Sequence, residues 1–279
     1  MKFNPELTLK EENIMCYTQP WYTKEYFVSS GKSMEVNCGF GYSTRYFILP
    51  ELDVKSTIIG TDNSESMIKY AESKYKTDER IDFEVFDIQT KNLSERYIAE
   101  FDNIFSFPTV HARTDICQEF QNIYKMLKPG GCLYIYMVTS HDAFTLYRRM
   151  LNHPTYGLFF KDYITPFHNW TNPAREVNHL LKQIGFIVQR SNFMPLRRYR
   201  AKNLLPYILS GLSFINKLSP QQQEDVKDEL TNEFNKMEKK FEQMYRMVAK
   251  NVNVDIYDTL SIYACKPPVN QRRLFVYMN

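Results

Sequence analysis

Between residues 33 and 140, short apolar runs rich in β-branched or aromatic residues alternate with longer stretches of helical spacing. That alternation restricts the chain to βαβ units laid into a parallel sheet. The runs fall at 34–36, 57–60, 82–85, 103–107 and 132–138. Between them, 64–75 carries Met67, Ile68, Ala71 and Tyr75 on one helical face, and 115–127 carries Ile116, Phe120, Ile123, Tyr124 and Leu127. Both stretches read as crossover helices.

Beyond residue 140 the alternation lapses, and two more strand-like runs, 186–191 and 259–265, flank a long segment of helical character. Within it, Ser219-Pro220 with Gln222 forms a capped start, and Val226, Leu230, Phe234, Met237, Phe241, Met244 and Val248 recur at steps of three and four. This spacing predicts a helix of about 30 residues, ~45 Å long, lying as a lid on its own domain. A chain of 279 residues with 43% hydrophobic content buries roughly 75% of the surface its unfolded form exposes, so its core needs neither disulfides nor metals. One domain over 1–279 is expected.

The formal net charge of +3 creates no strong field toward nucleic acid or an anionic membrane. The densest basic cluster, Arg197, Arg198 and Arg200 with Lys202, reads as a solvated face; an RNA-directed enzyme using it is the minor alternative. Five cysteines, Cys16, Cys38, Cys117, Cys132 and Cys265, are scattered with no CxxC and no zinc spacing. They favour a reducing, cytoplasmic location. No run of ~18 apolar residues marks a membrane span, and the N-terminus lacks the apolar core of a signal peptide.

The most informative segment is Glu35-Val-Asn-Cys-Gly-Phe-Gly41, a short strand passing through two glycines into a helix. As a dinucleotide fingerprint it places Asn37 and Tyr42 where glycines should stand, which denies a pyrophosphate its close backbone approach. As the E/D-x-G-x-G-x-G loop of S-adenosylmethionine (SAM) enzymes it keeps Glu35, Gly39 and Gly41 and loses one glycine to Asn37. A carboxylate at the strand end can anchor the amino groups of a cationic ligand through water or backbone. Asp62 closes the next strand about 20 residues later, where it can accept two ribose hydroxyls. Asp87 closes the third and can accept an adenine amine, with Ile88 covering the ring. Met126-Leu-Lys-Pro-Gly-Gly131 ends a helix with a cation and turns into a buried strand.

In this order the motifs resemble class I SAM-dependent methyltransferases over roughly residues 30–140. Gly60-Thr-Asp-Asn-Ser-Glu-Ser-Met67, Phe101-Asp-Asn-Ile-Phe-Ser-Phe107 with His111, Asn122-Ile-Tyr-Lys-Met-Leu-Lys-Pro-Gly-Gly131, and Tyr163-Ile-Thr-Pro-Phe-His168 with Asn172-Pro173 are similar to the insect juvenile hormone acid O-methyltransferase family. These stretches extend across about two-thirds of the chain. The resemblance implies a Rossmann-like α/β fold with a mostly parallel seven-stranded sheet. It also implies a helical substrate cap, here expected from 1–30, 141–180 and 196–250. The implied activity is SAM-dependent methylation of the carboxylate of farnesoic acid or juvenile hormone acid, with S-adenosylhomocysteine (SAH) as product and no nucleic acid partner, in a monomer or homodimer. The expected cofactor set is Glu35, Asn37, Cys38, Gly39, Gly41, Asp62, Asn63, Met67, Asp87, Ile88, Ser106 and Phe107. His111, Gln19 and Trp21 are expected at the acceptor.

A carboxylate is already ionised at neutral pH, so such transfer needs alignment and an apolar pocket rather than a general base. The loop Ser106-Phe-Pro-Thr-Val110 lacks the [D/N]PP[Y/F] pattern of nitrogen methyltransferases, which favours an oxygen acceptor. Two departures from the family stand out. Ala112 follows His111 where the family has a Trp donor for the substrate carboxylate, and Asn37 replaces a loop glycine. A catalytically weak paralogue that binds SAM or a terpenoid is therefore a competing expectation.

Overall fold

The structure is a computed structural model that describes residues 30–107, 115–164, 170–199, 205, 208–209, 212–244 and 254–269. Strands β1 (Lys32–Val36), β2 (Thr57–Asp62), β3 (Ile81–Val85), β4 (Phe101–Ser106), β5 (Leu127–Ser140), β6 (Ile187–Tyr199) and β7 (Val254–Cys265) form one sheet. Their order is β3-β2-β1-β4-β5-β7-β6. Neighbours among β1 to β5 run parallel, while β7 runs antiparallel to both β5 and β6. The helices are α1 (Glu65–Tyr75), α2 (Ile116–Met126), α3 (Asp142–Met150), α4 (Pro173–Ile184) and α5 (Pro220–Met244).

The central strands are short and apolar because both faces of the sheet are covered. On one face Met34, Val36, Ile104, Leu133 and Ile135 meet Phe120 and Ile123 of α2 and Val177 and Leu181 of α4. On the other, Ile58, Phe83, Phe105 and Tyr134 meet Ile48, Leu49, Ile68 and Ala71. The chain leaves β1 toward β2 on one side and later returns to β4 on the other. That reversal opens a crevice at the carboxyl ends of β1 and β4, where Val36 and Ser106 stand level.

Two expectations shift. β6 runs through Tyr199, so 196–199, expected to begin the cap, is strand. The sequence pattern ends early there because Pro195 and the basic run interrupt it, and an edge strand tolerates proline. Helix α4, expected within the cap, packs against α2 and β6 as part of the layer flanking the sheet. Helix α5 is described over 25 residues, and the expected remainder, with Val248, lies outside the described residues. Its capped start is present as a reciprocal pair: Ser219 N–H donates to Gln222 Oε1 at 3.1 Å and Gln222 N–H to Ser219 Oγ at 3.4 Å. Val226, Leu230 and Phe234 are buried, α5 packs on α3, and Arg149 pairs with Glu233 at 3.3 Å.

Cys132 and Cys265, expected as unpaired thiols, face each other across β5 and β7 and are joined by a disulfide. Their separation of 133 residues hides the pairing until register is known. The scatter of cysteines that suggested a reducing compartment thereby loses its weight.

The cation at the end of α2 is also not the expected one. Lys128 pairs with Asp102 at 2.8 Å. Lys266, buried just beyond β7, donates through Nζ to Tyr124 O at 2.8 Å and Leu127 O at 2.6 Å. It thus satisfies carbonyls at the helix terminus that would otherwise lack partners. Lys266→Met keeps the stem and removes the donor, and is expected to cost about 3 kcal/mol in urea denaturation; unchanged stability would contradict this assignment.

Candidate active site

Strand β1 leaves the sheet at Asn37, whose φ is +57°. Cys38 N–H then donates to Thr61 O at 2.9 Å, tying the turn to β2, and Thr61 Oγ1 donates back to Glu35 O at 3.1 Å. Gly41 N–H closes the turn on Cys38 O at 3.0 Å, and the chain enters a short π-helical turn, Thr44–Ile48. The two glycines serve different ends. A Cβ on Gly41 would lie 2.6 Å from the Phe83 ring, so packing against β3 demands glycine there. Among the described residues, a Cβ on Gly39 would meet nothing within 4 Å. No described residue closes its front, as a turn that admits a ligand requires.

Glu35 is fully buried. Its carboxylate accepts from Ser43 Oγ at 2.5 Å and from Thr44 Oγ1. Burial pushes its pKa up to about 7 against those hydroxyls, which lower it, with a smaller upward push from Asp62. Each of its oxygens accepts one hydroxyl, fastening the exit of the turn to β1, and its full burial sets it behind the turn rather than on its open face. Asp62, 9% exposed, divides its carboxylate between Gly39 N–H at 3.0 Å and Ser64 N–H at 2.9 Å. Burial raises its pKa while those two donors lower it. A carboxylate has about four lone-pair sites, so each oxygen keeps one for a further donor. The buried Cys38 thiol is pushed up strongly by burial, then by Glu35 and Asp62, and is no nucleophile.

At the end of β3, Asp87 is exposed and its Oδ1 accepts Gln89 N–H at 2.9 Å. Ile88 is buried in the core beneath this turn. A residue that sequence reasoning passed over holds the segment: Asn122, buried on α2, donates through Nδ2 to Ile88 O and Thr90 O, both at 2.7 Å. Gln118 Nε2 donates in turn to Asn122 Oδ1 at 3.0 Å. The only sequence signal was a polar residue beside the apolar face of an amphipathic helix, one turn from a second amide.

Ser106 is buried at the end of β4, and Phe107 follows it. Phe107, Phe105, Tyr134 and Tyr263 stack in succession with ring centroids 6.3, 5.1 and 4.9 Å apart. The last three stand opposite one another in the strand register. Asn63 is exposed and Met67 half-buried at the start of α1. The crevice thus gathers Asn37, Gly39, Asp62 and Phe107 at adjacent strand ends, with Asp87 one strand farther out. His111, Ala112, Gln19 and Trp21 lie outside the described residues.

A family model for a methyltransferase domain matches residues 34–133, from β1 into β5. Juvenile hormone acid O-methyltransferase of Drosophila melanogaster is 31% identical over 159 residues, 55% of this chain and 53% of that protein. The protein of the same name from Bombyx mori is 31% identical over 133 residues, 46% of this chain and 47% of that one. The chain has the fold of the class I methyltransferases and is similar to the juvenile hormone acid O-methyltransferases. The chain spans about half the length of these two relatives. Among solved structures, Haemonchus contortus phosphoethanolamine N-methyltransferase 2 in complex with SAM shares the fold at a TM-score of 0.51 and 19% identity, covering 88% of this chain and 51% of that one. Among the described residues, no helix is long and apolar enough to cross a membrane.

Proposed function

We propose that this chain is a methyltransferase that transfers a methyl group from SAM to the carboxylate of an apolar acid, of the farnesoic or juvenile hormone acid class. The observation that carries the cofactor reading is the open front of Gly39 beside the Asp62 carboxylate, at the carboxyl ends of β1 and β2. The residues fit the group: Asp62 keeps acceptor capacity for paired sugar hydroxyls, and the exposed Asp87 stands one strand farther on for the amino group of the base. The likeness to two juvenile hormone enzymes supports the acceptor class.

When bound, SAM supplies a methyl group on a sulfonium, open to in-line attack by an oxygen. The work of the chain is to bind, align and keep out water. Gly39 N–H and Ser64 N–H fix the Asp62 carboxylate before any ligand arrives, so its orientation costs nothing on binding. Asn122 fixes the turn bearing Asp87 in the same way. Phe107, at the end of the aromatic stack, offers an apolar surface at the end of β4. His111, Gln19 and Trp21 are the residues assigned to orient the acid. Since an acid of this class is ionised at neutral pH, His111 is assigned hydrogen bonding rather than proton removal.

Incubation with SAM and a panel of farnesoic acid, epoxy-farnesoic acid and straight-chain fatty acids, read by mass spectrometry, is expected to show methyl esters of the sesquiterpenoid acids. If every acid stays unesterified while SAM still binds, the acceptor assignment fails and a non-catalytic binding protein replaces it.

A further inference from the structure

Asn37 is the one residue of the glycine turn whose side chain has no evident task in the fold. Its φ of +57° places it in the left-handed region, which glycine enters freely and which asparagine enters at a cost. Its neighbours each have partners within the chain: Glu35 with Ser43 and Thr44, Cys38 N–H with Thr61, and Asp62 with Gly39 and Ser64. Among the described residues no hydrogen bond is made by the half-buried Asn37 carboxamide. A position that holds a strained backbone and an idle amide next to an open turn points to a partner outside the chain.

The strand order indicates which part of a ligand that partner is. The sheet runs β3-β2-β1-β4, with strands about 4.8 Å apart. If Asp62 at the end of β2 takes the sugar and Asp87 at the end of β3 takes the base, the third portion of the nucleoside falls at the end of β1. In SAM and SAH that portion is an amino acid, with an ammonium to be accepted and a carboxylate to be met by donors. A carboxamide carries one acceptor and two donor hydrogens on a single group.

We infer that the Asn37 side chain hydrogen-bonds the amino-acid end of the bound nucleoside, replacing the space a glycine would leave with a direct contact. This inference rests on the cofactor reading above. It is tested with Asn37→Gly, calorimetric titration of SAH and of 5′-methylthioadenosine, which lacks the amino-acid end, and thermal denaturation without ligand. The expected result is a variant at least as stable as the parent chain, because glycine relieves the backbone. Its affinity for SAH should fall tenfold or more, while its affinity for 5′-methylthioadenosine should match that of the parent chain. An SAH affinity equal to or above the parent's overturns the inference, as does an equal loss for both nucleosides, which would mark a distorted turn. A parent chain that binds neither nucleoside overturns the cofactor reading and this inference with it.

Discussion

Asp62→Ala is expected to lower affinity for SAM by two orders of magnitude or more and to destabilise the fold in the absence of ligand. The carboxylate holds Gly39 N–H and Ser64 N–H at 3.0 and 2.9 Å, and each hydrogen bond to a charged acceptor contributes about 1.5–3 kcal/mol. Alanine removes both clasps along with any contact to ligand hydroxyls, so the glycine turn loses its tie to β2 on the side that faces the crevice. Part of the stability loss is offset because a buried carboxylate, its pKa raised by that burial, no longer has to be accommodated. The net loss should be about 2 kcal/mol by urea denaturation, with the larger effect seen in calorimetric titration of SAM. Unchanged affinity would remove Asp62 from the binding site.

Glu35 carries the second large effect, and its sign follows from proton binding. The folded protein holds the Glu35 proton up to about 7, against a reference of 4.5 for a free glutamate, so between those pH values the folded state binds more protons than the unfolded one. Stability therefore falls as pH rises through that window and levels off above it, by about 3 kcal/mol in all. Glu35→Gln keeps an acceptor for the Thr44 hydroxyl and replaces the buried charge with an amide. The variant should match the parent chain near pH 5 and exceed it by about 2 kcal/mol at pH 8. Taking the difference between the two chains cancels other titrating groups, Asp62 among them. Denaturation curves that run parallel from pH 5 to 8 would show that Glu35 stays ionised when folded.

The parallel half of the fold was legible because each of its strands ends within a residue or two of a turn signal. Glu35 to Gly41, Asp62, Asp87 and the Lys-Pro-Gly-Gly reversal bracket β1, β2, β3 and β5. The carboxylates themselves were readable as site candidates, but their work was not. Glu35 and Asp62 look alike in sequence, and only burial separates them: Glu35 is fully enclosed, whereas Asp62 keeps a small exposed edge beside the turn. Long-range pairings were invisible for the same reason. The joining of Cys132 to Cys265 depends on antiparallel register, and the capping of α2 by Lys266 joins positions 139 and 142 residues apart. The tail of β6 was missed because an edge strand accepts proline and basic residues that a central strand would exclude.

The most direct test of the account follows the methyl group itself. The chain is incubated with SAM labelled in its methyl group and with farnesoic acid, and the organic extract is saponified. Label is expected in an apolar product, released as methanol by base, with one SAH formed per ester. Label that resists base, or no labelled product at all from a chain that binds SAM, would contradict carboxylate methylation.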